Sequence, residues 1–283
     1  MLSFRQSYVA SIVSAVCVCG GGLGCSESSP SSPSATATTT AATSTNQSSP
    51  FEINWDYNQE TQTWQASGIP PSCPTPLTFT TPVNLSRVTS ILYPGQTRGG
   101  WFKPHGGFRF DAPDETGDIT VVAPMAATVW RASRGLFGEN KEIQYMFDFI
   151  NDCGILYRLG HLRELSPRFQ QIAESLPPAV EDDSRTTPVA AGQHVSPGET
   201  IGTAVGFLAY QNDEENFSLD WGVYDLRERN AASANPAWLA QHPGEFPAYA
   251  ICWFDYLSLA DQAIVRSLPP ADGQSGATSD YCH

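Results

Sequence analysis

Across residues 77–226 the apolar and β-branched residues come in short runs, interrupted by Gly, Pro, Asn or Asp roughly every ten residues. Runs this short cannot sustain the 3.6-residue periodicity of a long helix, so the middle of the chain is confined to strands. Strands are expected over 77–92, 119–122, 127–132, 143–150, 154–159, 189–203 and 218–226, with turns over 93–100. Residues 51–64 alternate aromatic and polar side chains about Asn58-Gln59-Glu60, the pattern of a hairpin, and 70–76 is a proline-rich loop. Two helices are signalled. Ser166-Pro167 supplies a cap and a first-turn proline before Phe169, Ile172, Ala173 and Leu176, and Pro177-Pro178 stops the run; residues 258–268 repeat the pattern. The expectation is a mainly β, antiparallel domain over 51–283 with a few appended helices, and no internal repeat.

The N-terminal end reads as targeting sequence. Arg5 precedes an apolar stretch, 8–18, that is too short to span a bilayer, and small residues lead to Gly22-Leu23-Gly24-Cys25. This resembles a bacterial lipobox, with the leucine one place later than usual. It implies a signal peptide over 1–24 and a lipidated Cys25; plain secretion is the alternative. Ser26, not aspartate, follows the cysteine, which points to the periplasmic face of the outer membrane. Residues 25–50 are almost wholly Ser, Thr, Ala and Pro, a composition too poor in apolar surface to fold, and so form a tether spanning about 25–30 Å.

The chain carries 15 Lys+Arg against 29 Asp+Glu, a net charge of −14, which disfavours nucleic acid and anionic lipid as partners. Of seven cysteines, Cys17 and Cys19 lie in the signal peptide and Cys25 at its end. Cys73, Cys153, Cys252 and Cys282 remain, an even number in an exported chain. Three pairings are possible. Cys252–Cys282 with Cys73–Cys153 is preferred, because the polar tail before Cys282 has little else to hold it. No Cys-x-x-Cys pair suggests a metal cluster.

The stretch most suggestive of chemistry is Lys103-Pro104-His105-Gly106-Gly107-Phe108-Arg109-Phe110-Asp111. In a strand, alternation puts His105, Gly107, Arg109 and Asp111 on one face and Phe108 and Phe110 on the other. A base, a cation and an acid then share a face with a glycine that admits close approach. A solvated Arg–Asp pair on an edge strand is the plainer alternative.

Several segments taken in order resemble the LytM/M23 family of zinc peptidases, whose β domain cuts cell-wall peptides. Arg87-Val88-Thr89-Ser90 resembles the strand entering that domain, and His105-Gly106-Gly107 the start of its His-x-Gly-x-Asp metal motif. Val122-Ala123-Pro124 with Ala127-Thr128-Val129 resembles the next hairpin. Tyr157-Arg158-Leu159-Gly160-His161-Leu162 resembles the Tyr-x-His-Leu element with extra residues before the histidine. The run from Ala191 to Gly202 resembles a glycine-spaced strand pair of the family, and Ser218-Leu219-Asp220-Trp221 falls where the family has His-x-His-Phe. The match covers 81–226.

Carried over by position, the family's zinc ligands would be His105, residue 109 and residue 220, with His161 and residue 218 beside the reacting water. Here position 109 is arginine, which stays protonated and cannot ligate, and positions 218 and 220 are serine and aspartate. The resemblance therefore implies a domain that binds peptidoglycan peptide, or regulates a wall enzyme as an envelope partner, without cutting and with no cofactor. In this reading Arg109 and Asp220 form an ion pair where zinc would sit, in a binding groove with His105, His161 and Ser218. The alternative is a divergent zinc endopeptidase. It would use His105, Asp111 and Asp220 as ligands, with Asp111 drawn back by a bulge, and His161 and Ser218 as catalytic groups. Trp101, Tyr157, Trp221 and Tyr224 are candidates for groove lining or core. The insertion over 165–188 is a candidate lid.

Overall fold

The computed structural model describes residues 53–111, 116–211 and 214–283; the signal peptide, Cys25 and the tether lie outside the described residues. A first hairpin, β1 (Trp55–Asn58) and β2 (Thr63–Ala66), forms where aromatic alternation predicts it. After a 3₁₀ turn come β3 (Ser90–Leu92), a second hairpin of β4 (Gln96–Arg98) and β5 (Trp101–Lys103), and β6 (Gly106–Arg109). The longest strands follow: after the short β7 (Val121–Val122) come β8 (Ala127–Phe137), β9 (Glu142–Ile150) and β10 (Ile155–Leu165). Helix α1 (Pro167–Glu174), β11 (Val180–Glu181), β12 (Thr187–Pro188), β13 (His194–Val195) and β14 (Thr200–Val205) lead to a third hairpin, β15 (Phe207–Gln211) and β16 (Glu214–Asn216). The last strand is β17 (Ser218–Asp225), and the helices α2 (Pro236–Gln241) and α3 (Leu259–Ser267) close the chain.

The main sheet has the order β11-β8-β9-β10-β17-β6-β3, with β12 and β13 on β8 and β14 bridging β10 and β7. Every pairing is antiparallel except the short β11–β8 contact. The fold is thus mainly β, as the strand spacing implies. Two differences have local causes. Of residues 77–92 only 90–92 make a strand, because Asn84 caps a 3₁₀ turn over Leu85–Arg87 with its side chain. Helix α2 is additional: Asn235, just before Pro236, accepts from the backbone N–H groups of Ala237 and Trp238, but six residues are too few for an apolar stripe to be read.

One face of the central strands is the core. Phe108 of β6 and Leu219, Trp221 and Val223 of β17 are buried there. Trp253, from the segment before α3, lies 4.3 Å from the Trp221 ring and 5.2 Å from Phe108. Tyr157 stacks on Phe149 at 4.6 Å, so Tyr157, Trp221 and Tyr224 are buried residues and only Trp101 is exposed. The C-terminal tail then returns beside β3: Ile91 N donates to Pro269 O and Ala271 N to Ile91 O. It clasps the β4–β5 hairpin through Gln96 Nε2, which donates to the carbonyls of Gly276 and Thr278 at 2.8 and 2.7 Å.

The disulfides are Cys73–Cys153 and Cys252–Cys282. The first ties the loop before the sheet to the β9–β10 turn across a separation of 80 residues. Converting both Cys73 and Cys153 to serine is expected to lower stability by about 2–5 kcal/mol, read as a shift in the urea midpoint. The Cys252/Cys282 double serine variant should shift it less, because its loop is 30 residues.

Candidate functional site

The opposite face of β6, β17 and β10 carries the polar residues. Asp220, on the middle strand, is paired with Gly107 on one side and Gly160 on the other. A Cβ at 107 would stand 2.2 Å from Leu219 O, and one at 160 would stand 3.3 Å from Asp220 Cβ. Gly107 admits no side chain and Gly160 only a tight one, so both strands press close on β17, and imidazoles from each of their segments reach the carboxylate. His105 Nε2 and His161 Nε2 each lie 3.2 Å from Asp220 Oδ2. The sequence motifs thus bring His105, His161 and Asp220 together.

His161 reaches Asp220 because β10 is bulged. Against β9, Leu159 pairs with Phe147 and Leu162 with Tyr145, so β10 holds one residue more than its partner. His161 takes φ +58°, a left-handed backbone that a non-glycine side chain adopts at a cost. Its carbonyl accepts from Gly206 N at 2.7 Å, and Phe207 packs edge-on against its ring at 5.1 Å. On the other side Arg98 Nη2 donates to the His105 carbonyl at 3.0 Å, while Arg98 Nη1 donates to Tyr93 O at 2.6 Å.

The expected Arg109–Asp220 ion pair does not form. Register explains it: Arg109 lies opposite Ser218, while Asp220 lies opposite Gly107. Arg109 Nε instead donates to Asp111 Oδ2 at 2.6 Å. The alternative ligand set fails for the same reason, since Asp111 is held by Arg109 at the strand end and does not join His105 and Asp220. Among the described residues no group of three or more His, Cys, Asp or Glu is placed to hold a metal ion. The residues present therefore do not fit zinc as the family binds it: a permanent cation stands at one ligand position. Ser218 is buried on the groove face, and both imidazoles point to Asp220.

These side chains line a groove of about 480 Å³ with Arg98, Trp101, Lys103, Asn216 and Asp272. Its walls are the β4–β5 hairpin, the end of the β15–β16 hairpin and the returning tail. The insertion over 165–188 packs on β8, at the far edge of the sheet, and contributes nothing to the groove, so it is not a lid. Arg98 and Asp272 are the members that motif reading missed, one because it acts through backbone carbonyls and the other because the tail's return is non-local.

Burial is the largest influence on His105 and lowers its pKa, outweighing the neighbouring Asp220 carboxylate, which raises it. Burial also pushes Asp220 upward, but His105 and His161 prevail and hold its carboxyl well below the usual range. Both effects have the same sign. For His105 the unfolded chain takes up a proton below about pH 6.5 that the folded chain refuses, so stability falls as pH drops through that value. For Asp220 the contribution is complete above about pH 4 and is lost as the carboxylate is protonated in acid. Denaturant melts at pH 7 and pH 5 should show lower stability at pH 5, and His105→Gln should flatten that slope.

No helix among the described residues is long and apolar enough to cross a membrane. No protein-family model matches the chain, and neither the curated proteins nor the solved structures contain a match to it.

Proposed function

We propose that this groove binds acidic peptide of the bacterial cell wall without cutting it, in an M23-like domain tethered through a lipidated Cys25 to the periplasmic face of the outer membrane. The observation that carries the reading is the setting of Asp220. Its carboxylate is enclosed by two imidazoles, and the cation two residues beyond Gly107 is engaged with Asp111. Recognition of carboxylates has Lys103 at the groove wall, where no ion-pair partner engages it among the described residues. In a chain of net charge −14 an ammonium left open beside the groove is a local exception that supports an anionic ligand. The targeting sequence and the two disulfides support an exported protein.

Purified protein should co-sediment with isolated sacculi and release no soluble fragments from them. Lys103→Ala should weaken co-sedimentation while leaving the melt unchanged. Metal analysis decides against the reading if it finds stoichiometric zinc that is lost on Asp220→Ala; chelator-sensitive release of wall fragments would then establish the divergent zinc endopeptidase. Failure to co-sediment would leave the domain a structural scaffold.

A further inference from the structure

The β5 edge of the groove has a composition that peptide binding alone does not require. Alternation puts Trp101 and Lys103 on one face of β5 and Phe102 on the other. Phe102 is anchored inward, with its ring 3.9 Å from His242 and 5.7 Å from Trp238. Trp101 therefore projects over the groove with 74% of its surface exposed, the largest side chain so displayed among the described residues. Its neighbours toward the hairpin tip are Gly99 and Gly100, which have no side chains to shade the indole. Lys103 has no hydrogen-bond or ion-pair partner among the described residues.

The wall itself is braced. Gln96 is buried and tied to the tail, Ser275 Oγ donates to Thr97 O at 2.8 Å, and Asp280 N donates to Gly95 O at 3.0 Å. An exposed indole on a mobile loop would be surface noise. One on a braced strand, at the lip of a polar groove and beside an unpaired ammonium, is a platform.

Resting on the reading above, we propose that Trp101 forms a glycan subsite, which stacks a sugar ring of the wall polymer to which the peptide is attached, while Lys103 beside it takes a carboxylate of that peptide. A pyranose offers an apolar C–H face to the indole and polar edges to its surroundings. Two residues along a strand separate Trp101 and Lys103 by about 6.6–6.8 Å, so a ring stacked on the indole leaves the ammonium for the attached peptide. An aromatic ligand would match the indole as well, but it would not use Lys103 or the hydroxyl-binding groups Asn216 and Asp272 that share the groove. A lipid chain would be rejected by that polar lining.

The experiment is calorimetric titration of the full folded domain with three probes: a soluble wall disaccharide-peptide, the same peptide alone, and the disaccharide alone. The expected result is that the disaccharide-peptide binds at least about tenfold more tightly than the peptide. Trp101→Ala should remove that advantage, lowering affinity for the disaccharide-peptide at least about tenfold more than affinity for the peptide, while Trp101→Tyr, which keeps a stacking face, should restore most of it. Lys103→Met should weaken the disaccharide-peptide and the peptide and leave the disaccharide. Equal loss for all three probes in Trp101→Ala, or no loss for any, overturns the subsite. If the disaccharide binds through Trp101 while the peptide does not bind at all, the subsite stands and the peptide reading falls. If no probe binds, both fall.

Discussion

Asp148→Ala is expected to cost about 3–5 kcal/mol of folding stability, a large share of what a domain of this size has in reserve. Asp148 is fully buried on β9, and Arg158 reaches it from β10 with Nε–Oδ1 at 2.6 Å and Nη2–Oδ2 at 2.8 Å. Burial alone would lower the Arg158 pKa, but the facing carboxylate prevails and raises it, so the guanidinium stays charged. Deleting the acid leaves that charge enclosed, with the Phe246 ring at 4.6 Å and the Glu245 carboxylate, already paired with Arg131, as remaining compensation. Asp148→Asn, which keeps the shape and one acceptor, should cost less. The Asp148→Leu/Arg158→Met double variant should recover most of the loss, because the penalty comes from an unpaired charge more than from a missing bond. Urea midpoints of the four proteins at pH 7 test this. An Asp148→Ala protein within 1 kcal/mol of the parent would show that the pair is dispensable.

The second large effect is at the site. Asp220→Ala should lose about 2–4 kcal/mol and abolish wall binding together, since two half-buried imidazoles lose their common acceptor and the groove loses its centre. Asp220→Asn retains an acceptor for one imidazole and should lose about half as much stability. Denaturant melts and sacculus co-sedimentation on the same preparations separate the two losses. A variant that melts normally but no longer binds would show that Asp220 serves the ligand and not the fold.

Much of this architecture is legible in the chain. The alternation over 105–111 correctly places Phe108 and Phe110 in the core and His105 and Arg109 on the groove side. The Ser166-Pro167 and Ser258 starts locate both longer helices, although Ser166 makes no side-chain cap bond. The odd tail cysteine pairs as its polar surroundings suggest. What alternation does not carry is lateral register. It says which face a side chain takes, not which residue of the next strand stands opposite, and a shift of one pair sends Arg109 to Asp111 and leaves Asp220 to the histidines. The bulge at His161 is not read from the sequence, and its effect, turning an imidazole toward a neighbouring strand, depends on a φ value that no local pattern encodes. Asp272 could not be found at all without knowing that residues 269–282 fold back past β3.

That fold-back has a consequence for when the protein becomes competent. Ala271 and Asp272 supply part of one rim, and the Cys252–Cys282 cross-link holds the segment that follows them. The groove is therefore complete only once residues 269–282 have folded back past β3 and the two thiols have met an oxidant. A copy detained where thiols stay reduced would keep its sheet and have a looser rim.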